Sequence, residues 1–242
     1  MRNVLIVLLL TVFISNMSFA ENVTVEKLIK SVKQNIDSIH DLKSTLEITR
    51  IVNGRELKQN KEVIYKKPNK FKMVSLSSTG VSLLEIASDG AGVYNKSKLL
   101  YYDEEIRKQK YDKVKDYPIF RNIYNIGYDY IFEKVLKENN QNIINEGSFI
   151  YKIEVNTNKS GEINEIWIDY EKGLIVKYKI CHFEELTFEL KEYKKFDKVY
   201  FPIKTISGNK TKSYNVIKEA IWKNIKINEG INENNLKINK QK

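Results

Sequence analysis

From Val25 to Ile39 the apolar residues recur at the three-and-four spacing of an amphipathic helix: Val25, Leu28, Ile29, Val32, Ile36 and Ile39 share one side, with Lys27, Lys30 and Lys33 on the other. Thr24 stands where an N-cap is needed. At Leu42 the period changes to two. The segment LKSTLEITRIV, the pair Asn53-Gly54 and a return ending in VIYKK predict a tight hairpin, because Asn and Gly tolerate the left-handed backbone of a two-residue turn. Strands over 71–76, 81–87, 92–94 and 98–102, separated by Thr79-Gly80, Asp89-Gly90 and Asn95-Lys96, extend this hairpin into an antiparallel meander.

Residues 117–139 return to helical spacing, with Phe120, Ile123, Tyr124, Ile131, Val135 and Leu136 and an interruption at Gly127. Strands follow over 149–155, 162–170, 174–181, 186–196, 199–207 and 214–227, with a tight turn at Glu171-Lys172-Gly173. Leu174, Val176, Tyr178 and Ile180 alternate with Lys177 and Lys179, and Leu186, Phe188 and Leu190 with Glu189 and Lys191, so one sheet face is expected to be apolar and the other wet. A sandwich offers two helical segments no place. The expected fold is therefore mainly β (α+β): an incomplete, curled antiparallel β-barrel of about ten or eleven strands, with helices over its open concave side and an apolar space beneath them.

The first twenty residues are read apart from this fold. A basic start at Arg2, an apolar run from Val4 to Ile14 and the ending Ser18-Phe19-Ala20 form the pattern of a secretory signal peptide cleaved after Ala20. Eleven apolar residues are too few to span a bilayer, which takes about 20. No cysteine follows Ala20, so the mature chain is expected to start at Glu21 without a lipid, soluble in the periplasm. Residues 21–242 form one domain with a polar tail from about 229. Its single cysteine, Cys181, has no internal partner, so stability rests on packing. Loss of Arg2 lowers the formal net charge from +10 to +9. The lysines are spread over nearly all the strands, which describes solvated sheet faces, and export argues against nucleic acid as a partner.

Candidate chemistry is sparse. The chain has 2 histidines and lacks a nucleophile elbow, a phosphate-binding glycine loop and a metalloprotease helix motif. Cys181 and His182 adjoin, but neighbours on a strand point to opposite faces and cannot form a dyad. His182 and Glu184 share a face, yet two ligands do not make a metal site. His40, after the first helix, is placed to interact with the helix dipole. An enzyme is not expected, nor a cofactor or metal. Abundant apolar and aromatic residues point to a binding module for an apolar ligand. The candidate lining is Tyr65, Phe71, Met73, Tyr101, Trp167, Val176, Tyr178, Phe188, Leu190, Phe201 and Trp222.

Four stretches in order carry a resemblance. LKSTLEITRIVNGRELKQNKEVIYKKPNKFKMV, the turn Ser88-Asp89-Gly90, IWIDYEKGLIVKYKI and VYFPIKTI resemble the LolA/LolB family of bacterial lipoprotein carriers, whose superfamily includes RseB-type envelope sensors. The resemblance extends over the mature chain and implies an incomplete barrel with a helical lid. It also implies a monomeric periplasmic carrier of lipoprotein acyl chains or another lipid, working between an inner-membrane donor and an outer-membrane acceptor. A lipid-detecting sensor is the alternative. In YKKPNKFKM, Pro68 is expected to end one strand and turn the chain at the barrel rim. Lys67 occupies the position of the family's transfer arginine, keeping its charge without the planar fork.

Overall fold

A computed structural model describes residues 23–68, 70–89, 93–97, 106–109, 141–156, 163–181, 185–210 and 215–237. One helix, α1 (Val25–Asp37), precedes the strands β1 (Asp41–Val52), β2 (Arg55–Lys66), β3 (Lys70–Leu76), β4 (Ser82–Asp89), β5 (Val93–Ser97) and β6 (Ile106–Gln109). Then come β7 (Gln141–Gly147), β8 (Ile150–Asn156), β9 (Ile163–Asp169), β10 (Leu174–Cys181), β11 (Glu185–Phe196), β12 (Val199–Lys210), β13 (Asn215–Ile227) and a 3-10 turn, η1 (Glu233–Leu236). The thirteen strands form one antiparallel sheet in the order β6-β5-β4-β3-β2-β1-β13-β12-β11-β10-β9-β8-β7. The first and last long strands of the chain, β1 and β13, meet at its centre.

The expected fold class holds: the sheet is open and curls as an incomplete barrel. Two strands exceed the sequence expectation, β6 and β7, short or polar pieces without clean alternation. The second helical segment, over 117–139, lies outside the described residues, as do the leader and the expected strand over 98–102. Asn53 and Gly54 both have positive φ, 49° and 80°, and Val52 pairs with Arg55, as a two-residue hairpin turn requires.

Helix α1 begins at Thr24, whose side chain accepts from the Lys27 amide, and it buries Val25, Leu28, Ile29 and Val32 against the sheet. Polar contacts fix its position. Asn35 donates to the Tyr200 carbonyl at 2.8 Å and accepts from the Tyr200 amide at 2.9 Å, acting as a substitute strand at the start of β12. Gly173, in the turn before β10, lets α1 come so close that a Cβ there would collide with the Ser31 carbonyl oxygen and lie 2.9 Å from the Asn35 Cβ. At the helix's other end Asn228 receives the His40 amide at 2.7 Å and donates to the Ser38 carbonyl at 2.8 Å. His40 is not the helix-end cation: the last turn carries no basic residue, and Lys67 donates to the Asp37 carbonyl instead.

The polar tail also has a place. It folds over the outer side of β2–β4, where Lys66 donates to the Ile231 carbonyl at 3.2 Å, Lys70 pairs with Glu233 at 2.9 Å, and Lys72 donates to the Lys237 carbonyl at 2.8 Å. Leu236 is buried beneath it.

The close approach at Gly173 is testable against Gly54, which shares its positive φ but has nothing near a would-be Cβ. Gly173→Ala is expected to destabilise the protein by roughly 1–3 kcal/mol more than Gly54→Ala does, because only the former adds a collision to the backbone strain. Urea unfolding of the two variants checks this, and equal losses would contradict the contact.

Candidate functional site

The inner face of the sheet carries a large apolar cluster, built by the two-residue alternation of its strands. Tyr65, Phe71, Met73, Tyr178, Phe188, Phe201 and Trp222 are all buried and share one cluster with Leu42, Leu46, Ile166, Ile168 and the buried stripe of α1. Leu190 packs against this cluster and is half-buried, while Leu186, on the same side of β11, is exposed. Tyr178 stacks on Phe188 with ring centroids 5.3 Å apart, and Phe201 meets Trp222 edge-on at 5.3 Å. Burial pushes the Tyr178 hydroxyl up to about 12, and burial followed by the charge of Asp37 does the same for Tyr65. Both phenols are thus neutral near pH 7.

Two of the predicted lining residues are elsewhere. Trp167 lies on the outer face, between Lys177 at 4.6 Å and Lys152 at 5.1 Å from its ring centre, and its Nε1 donates to Glu146 at 3.0 Å. Its neighbours Ile166 and Ile168 hold the inner positions, so strand parity places it outside. Val176 is displaced by a bulge. Ile175 pairs with Ile168 and Lys177 with Trp167, so Val176 has no partner across the ladder and Ile175 takes its place in the core beside Tyr178 and Ile180. Tyr101, His182 and Glu184 lie outside the described residues. Pro68 is exposed in the turn between β2 and β3, and Lys67 is half-buried and turned to α1, with its Nζ 3.5 Å from the Asp37 carboxylate.

The alternation also gives three cations, the exposed Arg50 and the half-buried Lys61 and Lys218, the parity of the inner face. Lys61 has the parity of Val63 and Tyr65, Arg50 that of Leu46 and Ile48, and Lys218 that of Ala220 and Trp222. Arg50 and Lys218 are direct cross-strand partners. Burial, then Arg50, pushes the Lys61 ammonium down, and burial, Arg50 and Lys61 push Lys218 down to about 8 from the ordinary 10.5. The signal was in the strand parity, hidden by the general abundance of lysine.

The outer face differs. There Lys152 contacts Glu154 and Glu165, each at 2.6 Å, Lys72 contacts Glu85 at 2.6 Å, and Lys223 contacts Glu47 at 2.7 Å. A polar depression of about 490 Å³ lies beside α1, lined by Lys27, Lys30, Lys172, Lys198, Glu171 and Tyr200 among others. It is not the apolar space expected under a lid. Among the described residues no group of three or more metal-ligating side chains converges, and no helix is long and apolar enough to cross a membrane.

With this geometry, the fold is the one seen in LolA-type proteins. Solved structures that share it include a DUF1329 family protein from Desulfovibrio piger (TM-score 0.56, 10% identity, 88% of this chain and 97% of that one). A LolA superfamily protein from Nitrosomonas europaea is similar at TM-score 0.56 and 8% identity, over 89% and 98% of the two chains. An outer membrane lipoprotein-sorting assignment is attached to a third, a protein domain from Vibrio parahaemolyticus (TM-score 0.52, 12% identity, 88% and 97%). No protein-family model matches the sequence, and no curated protein does.

The depressed Lys218 has a consequence for stability. Arg50 on β1 and Lys61 on β2 face it, and neutral Ser207 is its partner on β12. Between pH 8 and 10.5 the unfolded chain holds a proton at residue 218 that the folded chain has released, so this residue's contribution to stability rises with pH across that window. Lys218→Met is expected to be more stable than wild type below pH 8, with the difference shrinking toward pH 10.5. Urea unfolding of both proteins across the window checks the sign, and a pH-independent difference would contradict it.

Proposed function

We propose that the chain is an exported lipid carrier that shelters acyl chains against the inner wall of its sheet and moves them across the periplasm toward the outer membrane. The observation that carries this reading is the aromatic and aliphatic cluster of the inner wall, with Tyr65 and Phe71, Trp222 and Phe201, and Phe188 and Tyr178 among its members. Each methylene moved from water to such a surface contributes about 0.8 kcal/mol, so a chain of ordinary length needs a dry site to leave a membrane. The fold shared with the LolA superfamily protein and the lipoprotein-sorting domain supports it. The signal-peptide pattern of residues 1–20 supports export. Lys67 would serve by tying the β2–β3 turn to the end of α1 at the rim of the barrel.

Purified protein is expected to take up cis-parinaric acid, with fluorescence rising on binding. Phe188→Leu, which removes the stacked ring while keeping an apolar side chain, should weaken uptake several-fold. Trp167→Phe on the outer face should leave it unchanged. Organic extraction of protein from its native host should release lipid identifiable by mass spectrometry, and N-terminal sequencing of the exported form should read Glu21-Asn22-Val23. A folded protein that neither binds the probe nor yields lipid would refute the carrier reading.

A further inference from the structure

The sheet register gathers several chain reversals at one end of the molecule. Leu42 at the start of β1 pairs with Ile227 at the end of β13, Phe196 pairs with Val199, and Asp169 pairs with both Leu174 and Ile150. The β7–β8, β9–β10 and β11–β12 turns therefore stand together where α1 leads into β1, at what we term the α1 end. The polar depression of about 490 Å³ lies there. One face of α1 supplies it with Lys27 and Lys30, the β9–β10 turn with Glu171 and Lys172, and the β11–β12 turn with Lys198, so four lysines stand against one glutamate. Lys172 is held by Asp169 at 2.6 Å and lies 4.0 Å from Glu171. Lys30 and Lys198 are exposed and make no ion pair among the described residues.

Aromatic rings border the depression. Phe149 is 56% exposed and Tyr193 46%. The Phe149 carbonyl accepts from the Tyr170 amide at 2.9 Å, and the Tyr193 ring centre lies 5.5 Å from the Lys172 Nζ, so both rings adjoin residues that line the depression. Tyr200, also in its lining, meets Tyr193 edge-on at 6.1 Å and has the Lys195 Nζ 5.2 Å from its ring centre. Phe149 has no local reason to be where it is. Ser148 and Phe149, with φ of 47° and 64°, form a two-residue turn between the paired Gly147 and Ile150, a place that favours Asn and Gly. A bulky ring suits neither that backbone nor, exposed as it is, the core. Lysines beside exposed aromatic rings match a membrane–water interface, where rings settle at headgroup level and each cation is drawn to anionic lipid. We propose that the α1 end docks on a bilayer containing anionic phospholipid, with headgroup phosphates drawn into the depression by its lysines and with Phe149 and Tyr193 set into the interface beside them. This goes beyond the carrier reading and does not depend on what the inner wall holds; it states which end of the molecule meets a membrane.

The test measures cosedimentation of the mature protein with two kinds of vesicle, phosphatidylcholine alone and phosphatidylcholine containing phosphatidylglycerol. Wild type should bind the anionic vesicles at low salt and leave the neutral ones. Lys30→Gln and Lys198→Gln should each weaken that binding about fivefold, and the double variant about thirtyfold. Lys58→Gln makes the same charge change at the opposite end of the sheet, near the start of β2, and should alter binding by less than about twofold. Phe149→Asn suits the backbone of its turn, so it should melt no lower than wild type while binding the anionic vesicles several-fold more weakly. Each of these variants should take up cis-parinaric acid as wild type does, which separates docking from carriage. Equal binding of wild type to both kinds of vesicle, or equal weakening by Lys58→Gln and Lys30→Gln, would overturn the docking surface. Release from vesicles by inorganic phosphate well beyond that by chloride at the same ionic strength would make the depression a site for a free anion and would also overturn it. Absence of vesicle binding at low salt would do the same and leave the carrier reading to its own probe.

Discussion

Adjacent side chains of a β-strand point to opposite sides, and the character of each face of this molecule follows from where that alternation holds and where it is reset. Along β2 it sends Val63 and Tyr65 inward and Lys66 outward to the tail. Along β9 it buries Ile166 and Ile168 and puts Trp167 among lysines and glutamate. In β10 a single extra residue at Val176 resets the phase, and Ile175 joins the core. One face is thereby apolar over most of the sheet, and the other is an ion-paired surface partly covered by the C-terminal tail.

Helix α1 covers part of the inner side of that sheet. Its position depends on a few contacts from distant parts of the chain: the approach at Gly173, the Asn35 bonds to Tyr200, the Asn228 bridge and the Lys67 contacts to Asp37. Each joins residues far apart in sequence, so the helix is held by β10, β12, β13 and the β2–β3 turn together. Polar pins thus fix where the helix sits on the wall, and its apolar stripe supplies the remaining burial.

Much of this was legible beforehand. The Asn53-Gly54 turn, the helix start at Thr24, and the alternation of Phe188 and Leu190 with charged residues each follow from local rules and appear as read. What escaped depends on non-local registration. A bulge such as that at Val176 is invisible in an apolar run, because LIV reads equally well in either phase. Trp167 was assigned inward because aromatic residues favour cores, although its isoleucine neighbours had already taken the inner positions. The contact of Lys67 with the end of α1 could not be read locally, because that partner lies 30 residues earlier. The inner cations were missed because charge was judged by composition, where forty-one basic residues hide three placed on the apolar side.

The carrier reading, in which acyl chains lie against the inner wall, is most directly tested by photolabelling the mature protein with a fatty acid that carries a diazirine near its methyl end, followed by peptide mass spectrometry. Cross-links at the α1 end of the inner face, on peptides containing Tyr65, Phe71 or Met73, are the result expected. Labelling concentrated on the outer face, around Trp167 or the tail near Leu236, would contradict it.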